Sequence, residues 1–435
     1  MYNSTVNNRK ESFITMKAQE SIERYPQKVR EYANYVYKSI KILCKKTGPR
    51  PVGSESEKEA QEYMLNDLTK YCDSAVREEY KCSDKAFMSW VPIGAILLLL
   101  STVFLSLGMA AISLACCVIT LFLILAEFIF YKPVLDVFFP KKTSGNVIGV
   151  RKASGETKKR IIISGHTDSA YEWTYTYHGG RPVVFMIILT AIIDIVIGLG
   201  ASIAYMAVYG EAMGANLWSS DVNIAFKVIA VVTYIAVPVL IAAIGFCNYK
   251  RPVMGANDDL TGTFIAMSVA KFLSDNNIRF ENTEVVVLCA GGEEAGLRGS
   301  KAFAKAHADE YKNDGTQTIF VGFDTIRELE FIKAYDKDMT GVVKNDRKTA
   351  ELVQRAAKLM DLELPIGAIE LGSTDAAAMS QAGIKATSVT AMDPSPARYY
   401  HTRLDTEDNL SLGAIETGVK LALETTFLFD EEGLK

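Results

Sequence analysis

The chain has 435 residues, 47 of them basic and 51 acidic, for a net charge of −4. It is long enough to bury a large core, and it lacks the basic field that non-specific nucleic-acid binding requires, so no nucleic-acid partner is expected. Hydrophobic residues reach 49% against 23% charged and the mean hydropathy is +0.11, a balance that argues against a wholly soluble protein and for apolar residues gathered in spans. Seven scattered cysteines, Cys44, Cys72, Cys82, Cys116, Cys117, Cys247 and Cys289, show neither paired nor metal-knuckle spacing and suit a reducing compartment. The first residues, rich in Asn, Lys and Glu, contain no apolar core of the signal-peptide kind.

In chain order, Ser54 with Glu55 and Glu57 behind it predicts a helix N-terminus, and Ala60, Tyr63, Met64 and Leu68 supply the helix body. A strand follows near Val76 to Tyr80. Two apolar runs, Met88 to Ala110 and Ile112 to Tyr131, are each long enough to cross a hydrocarbon core of about 30 Å at ~1.5 Å per residue. They read as a transmembrane hairpin turning at Gly108-Met109-Ala110. Strands at Asn146 to Val150 and Ile161 to Ser164 come next. A second hairpin then runs from Val183 to Tyr209 and from Val228 to Cys247, its loop extending from Gly210 through Trp218 to Asn223. Pro238 is expected to kink the fourth span. Asp194, ionisable inside the third, is expected to make a polar contact among the four helices rather than to be a functional residue.

Beyond the spans, strands at Glu284 to Ala290, Thr318 to Phe323, Phe331 to Tyr335 and Lys385 to Val389 alternate with helices at Thr263 to Leu273, Arg298 to Tyr311, Thr349 to Met360 and Leu412 to Phe427. This is an α/β pattern with a mostly parallel central sheet. The expected organisation is one α/β domain made of residues 1–87, 132–182 and 248–435, interrupted by hairpins at 88–131 and 183–247.

The candidate chemistry lies at the ends of these strands. His166 closes the Ile161 strand with Asp168 two residues on, Asp258 and Asp259 open a helix, Glu293 and Glu294 follow the Val285 strand, Asp324 ends the Ile319 strand, and His401 follows Tyr399 and Tyr400. Strand ends are where an open α/β sheet gathers its site residues. Singly, Asp258 reads as a helix cap and Glu293-Glu294 as a solvated pair. Together, two imidazoles with three or four carboxylates suit a pair of divalent ions, zinc first, with one acid left over as a base. His178, beside Gly179-Gly180 in a loop, and His307, on a helix with a solvated face, carry no comparable signal.

The order of these motifs resembles metallopeptidase family twenty-eight, the co-catalytic di-zinc aminopeptidases of clan MH. The resemblance rests on Gly48-Pro49-Arg50-Pro51-Val52-Gly53-Ser54, His166-Thr167-Asp168, Asn257-Asp258-Asp259, Glu293-Glu294 with Gly296-Leu297-Arg298-Gly299-Ser300, Asp324, and Tyr400-His401-Thr402 with Asp405-Thr406. It implies a three-layer α/β/α zinc-exopeptidase-like domain and two Zn²⁺, other divalent ions being possible. His166, Asp258, Glu294, Asp324 and His401 would be the ligands, with Asp258 bridging and its peptide bond to Asp259 cis. Glu293 would be the general base toward a hydroxide held between the ions, Asp168 would orient His166, and Tyr400 would donate to the tetrahedral oxyanion. Asp375, opening a helix after Ser373-Thr374, is expected to cap that helix or to support the ligands. The two hairpins, one before His166 and the other between His166 and Asp258, depart from the family's secreted members.

The expected activity is removal of N-terminal residues from peptides, since a carboxylate-rich site suits a free α-amino group. Arg298 and Arg398 keep a carboxypeptidase or other amidohydrolase open. A ring-closing cyclase and a catalytically silent membrane scaffold remain as alternatives. Basic residues flank the spans, Lys81 and Lys85, Lys132, Lys141 and Lys142, Arg181, then Lys250 and Arg251, whereas the second turn carries Glu211 and Asp221, with Lys227 at its edge. The positive-inside rule puts both termini and the catalytic domain on the cytoplasmic side of the cell membrane. The metal motifs at Asp168 and Asp258 sit close in sequence to the third and fourth spans, which places the site near the bilayer surface. The expected partners are a peptide substrate and the lipid bilayer.

Overall fold

The computed structural model describes residues 17–210, 214 and 216–435; Glu211, assigned to the second turn, lies outside the described residues. In chain order the elements are α1 (Tyr25–Thr47), α2 (Glu55–Leu68), β1 (Ser74–Cys82), α3 (Trp90–Ser106), α4 (Ala110–Leu123), β2 (Lys142–Arg151), β3 (Lys159–His166), β4 (Tyr171–Trp173), α5 (Thr174–Tyr209), α6 (Ile224–Ile244) and β5 (Cys247–Pro252). The remainder are α7 (Leu260–Asp275), β6 (Thr283–Ala290), α8 (Arg298–Asn313), β7 (Gln317–Ile326), β8 (Lys333–Asp338), β9 (Val343–Lys344), α9 (Arg347–Lys358), β10 (Ile366–Ala368), α10 (Asp375–Gln381), β11 (Lys385–Ala391) and α11 (Leu412–Glu432).

The main sheet runs β1-β2-β6-β3-β7-β11-β8-β10, with β9 paired to β8. Its centre, β6-β3-β7-β11, is parallel, while β1, β2 and the β11–β8 pair run antiparallel. The period of two along a strand divides β3 between two cores. Ile161 and Ile163 pack with α1, α2, α7, α9 and α11 on one face, and Ile162 packs with α8 and α10 on the other. The result is the three-layer α/β/α arrangement. Ser54 caps α2 as the sequence requires, accepting the Glu57 amide at 3.1 Å.

Four helical runs are long and apolar enough to cross a membrane: Phe87–Ser106, Ala110–Ile129, Thr174–Tyr209 and Ile224–Ile244. Their outer faces are exposed and apolar, as at Leu189 (58% exposed) and Ile235 (72%). Their inner seam is polar and close. Ser101 Oγ lies 2.8 Å from Ser113 Oγ, Ser202 Oγ donates to Ser113 Oγ at 3.0 Å, and Tyr234 Oη donates to Ser106 Oγ at 2.7 Å. Asp194 is buried on this inner side.

Several sequence expectations shift here. Pro238 lies inside α6, and α5 is interrupted at Gly180, with φ +60°. His178 belongs to the helical turn preceding Gly180 rather than to a loop. Cys247 starts β5, which pairs with β4 to tie the feet of α5 and α6 together. His307 is not solely solvated, because its Nε2 lies 2.8 Å from Glu78 Oε2.

Arg50 explains the Gly48–Ser54 motif. Fully buried, it donates to carbonyls of Thr167 (2.8 Å), Met254 (2.8 Å), Gly255 (2.9 Å) and Gly48 (3.3 Å), drawing three loops onto one guanidinium. Replacing Arg50 with Met should leave these carbonyls unsatisfied and destabilise the protein by about 3 kcal/mol or more. Thermal unfolding of the purified protein in detergent checks this, and an unchanged midpoint would contradict it.

Candidate metal centre

Each candidate residue is carried to the cleft by the element that ends beside it. His166 is the last residue of β3, Glu293 and Glu294 follow β6, Asp324 lies near the end of β7, and Asp258 precedes α7. Helix α7 can press its first turn onto these strand ends because of glycines. A Cβ on Gly165 would come within 2.2 Å of Thr263 N, and one on Gly262 within 2.0 Å of Phe323 O.

The two imidazoles converge on one carboxylate. His166 Nε2 lies 3.2 Å from Asp258 Oδ1, and His401 Nε2 lies 3.2 Å from Asp258 Oδ2 and 3.2 Å from Glu294 Oε2. His166, Asp258 and Glu294 offer ligand atoms within 4.8 Å of one another, as do His166, Asp259 and Asp324. The Asp258–Asp259 peptide bond is cis. Asp258, Glu294, Asp324 and His401 line one cleft and His166 abuts Asp258, with His166, Asp258 and His401 buried and Glu294 and Asp324 half-buried.

So many acids in one buried space are electrostatically unfavourable. Burial, then Glu294, Asp375 and Asp324, push Glu293 well above the usual carboxylate range against the opposing pull of His166. Burial and Asp258 push Asp324 up to about 7. Although burial opposes its charged form, His401 is held up to about 10 by Glu294 and Asp258. Asp258 Oδ2 and Glu294 Oε1 have no hydrogen-bond partner among the described residues. Unpartnered carboxylate oxygens beside imidazoles form a hard, anionic donor set that divalent cations would neutralise, and zinc fits it.

Three further carboxylates brace the loops. Asp168 lies 3.5 Å from His166 Nδ1, beyond a good hydrogen bond, and accepts the amides of Glu293 (3.1 Å) and Glu294 (3.0 Å). Asp259, rather than Asp258, is the N-cap of α7, and it accepts the amides of His166 (3.0 Å), Gly262 (2.8 Å) and Thr325 (3.1 Å). Asp405 accepts the amides of Asn257 (2.8 Å) and Asp258 (3.1 Å) and the Asn257 side chain (2.7 Å). The bracing by Asp259 and Asp405 was not read from the sequence, although both stand inside quoted motifs.

Tyr400 lines the cleft with its ring stacked on His401, centroids 3.9 Å apart. Trp173, outside every motif, stands edge-on to His401 at 4.5 Å and donates its backbone N–H to the His401 carbonyl at 2.8 Å. Asp375 is the first residue of α10, whose N-cap is Thr374; burial raises its carboxyl to about 6. The two arginines that kept a carboxypeptidase open are engaged elsewhere. Arg298 pairs with Asp136 at 2.8 Å, and Arg398, exposed, donates to the Tyr177 carbonyl at 3.4 Å.

Residues 239–426 match the model of peptidase family M28. That segment is similar to peptidase family M28. The chain also superposes on solved structures. One is an aminopeptidase from Aneurinibacillus sp. strain AM-1 (TM-score 0.54, 14% identity, 92% of this chain and 94% of that one). Another is a zinc aminopeptidase, BSAP, from Bacillus subtilis (TM-score 0.52, 12% identity, 90% and 94%). A third is a glutaminyl cyclase from Bacteroides thetaiotaomicron (TM-score 0.50, 13% identity, 91% and 97%). At these identities the superpositions establish a shared fold.

The bracing makes a prediction. Asp405→Asn replaces one acceptor oxygen facing backbone N–H groups with an NH₂ and should weaken metal retention by about 10–100-fold, the usual effect of a lost supporting partner. Titrating bound zinc against a chelator measures this. Wild-type retention in a folded variant would contradict it.

Proposed function

We propose that the protein is a membrane-embedded di-zinc aminopeptidase that removes N-terminal residues from peptides. The observation that carries this reading is Asp258, whose two carboxylate oxygens each face a different imidazole at 3.2 Å, an arrangement that suits one carboxylate shared between two ions. His166 and Asp324 would hold one ion, Glu294 and His401 the other. When bound, zinc supplies Lewis acidity and makes water a stronger acid.

The remaining tasks fall to the chain's own groups. Glu293 is the acid left without a ligand role. It lines the cleft beside Asp258, Glu294 and His401, where it can take a proton from water and return it to the departing amine. Tyr400, lining the same cleft, is the donor toward the substrate carbonyl oxygen. Asp168 fixes the Glu293 amide relative to the His166 loop. The acids of the cleft would hold the substrate's α-ammonium group. The engagement of Arg298 and Arg398 elsewhere supports an aminopeptidase over a carboxypeptidase.

A peptide beginning with Leu should lose that residue, and its N-acetylated form should resist. Glu293→Gln should keep its zinc and lose about 10²–10⁴-fold in turnover. Equal cleavage of both peptides, or full activity of the variant, would contradict the mechanism. A peptide beginning with Gln separates this reading from the cyclase, since trimming releases Gln whereas cyclisation leaves the chain length unchanged.

The flanking lysines and arginines support placing the catalytic domain in the cytoplasm and the two turns outside. Single cysteines introduced at Ser220 and Ser154, both exposed, in a cysteine-free background test this with an impermeant thiol reagent on intact cells. Labelling at Ser220 alone is expected, and labelling at Ser154 alone would invert the topology.

A further inference from the structure

The cleft, of about 420 Å³, has two chemically different walls. One carries the candidate ligands with Glu293 and Tyr400. The other is apolar and comes from the membrane-crossing runs: Phe87 and Met88 open the first, Phe128 lies near the end of the second, and Val184, Phe185 and Ile188 belong to α5. Phe185 takes part in both the cleft and the outside, being 50% exposed. Along α5 the apolar surface continues outward through Leu189 (58% exposed) and Ile192 (52%) without a charged residue between them. A wall that a soluble peptide would leave wet is therefore continuous with the face that α5 turns to lipid.

The surroundings mark the depth of this opening. Arg181 stacks over Phe185 at 5.1 Å, and Lys85 lies over Tyr171 at 5.6 Å and Tyr249 at 5.8 Å, both tyrosines lining the cleft. Aromatic rings with cationic partners at the ends of apolar helices are the side chains that settle at the membrane–water interface. The mouth thus sits at the interface, with an apolar sill toward the bilayer.

Resting on the aminopeptidase reading, we propose that the substrates are peptides held in the bilayer by an apolar segment of their own, whose free N-terminus enters the cleft sideways across Phe185 and Ile188. Such a peptide needs only a short polar stretch between its anchor and the scissile bond. A cleft open to water alone would require a stretch long enough to leave the membrane and loop back. Four extended residues reach roughly 13 Å, enough for sideways entry.

The test uses the full-length zinc-loaded protein in phosphatidylcholine–phosphatidylglycerol vesicles and three peptides beginning Leu-Gly. One is soluble; the others carry a 20-residue Leu/Ala anchor behind a linker of four or of fourteen residues. Release of Leu from the four-residue-linker peptide within about threefold of the fourteen-residue one supports the proposal. So does a tenfold fall in the ratio of anchored to soluble turnover in the Phe185→Ser, Ile188→Ser double variant. Trimming of the long-linker or soluble peptide with none of the short-linker peptide overturns sideways entry and leaves the aminopeptidase reading intact. Trimming of no peptide by the wild-type protein overturns both.

Discussion

The structure depends on the accumulation of carboxylates in one buried cleft. Asp258, Glu293, Glu294 and Asp324 face two histidines there, with Asp375 adding its charge close by. Desolvated like charges repel far more strongly than they would in water, and the cleft answers this by pushing Glu293 and Asp324 above the usual carboxylate range and holding His401 up to about 10. Asp258 divides its two oxygens between His166 and His401, and this sharing is the feature on which the two-ion proposal rests.

Repulsion of that kind would spread the loops apart unless they were tied. The ties are also carboxylates, turned away from the centre toward backbone amides. Asp168 joins the His166 loop to the Glu293–Glu294 loop, Asp259 joins β3, α7 and β7, and Asp405 joins the His401 loop to Asp258. The apolar hairpins belong to this bracing. Past the first hairpin, Asp136 pairs with Arg298 and the Tyr131 carbonyl accepts from Lys301 at 2.6 Å, beside the Glu293–Glu294 loop. At the foot of α5, Glu172 receives a two-pronged pair from Arg403, each bond 2.6 Å, and Trp173 holds His401. Both insertions therefore position loops that carry candidate ligands.

Much of this was legible in the sequence because strand ends in an α/β sheet come with short, acidic or histidine-bearing motifs. Asp258, Glu294, Asp324 and His401 line one cleft with Glu293 and Tyr400, and His166 abuts Asp258. The hairpins were legible from length and hydropathy. What stayed hidden depends on contacts distant in sequence. The short β4–β5 ribbon has no period long enough to read, Trp173 matters only through the fold that sets it beside His401, and Asp259 and Asp405 look like their ligand neighbours until their amide partners appear. Gly180, just before the third span, leaves the helical region with a φ of +60°, a break no sequence pattern marked.

The central claim, two ions sharing Asp258, is tested most directly by anomalous diffraction at the zinc edge from crystals of the zinc-loaded protein. The account predicts two anomalous peaks on either side of the Asp258 carboxylate, one beside His166 and Asp324 and the other beside Glu294 and His401. A single peak, or peaks away from Asp258, would contradict it.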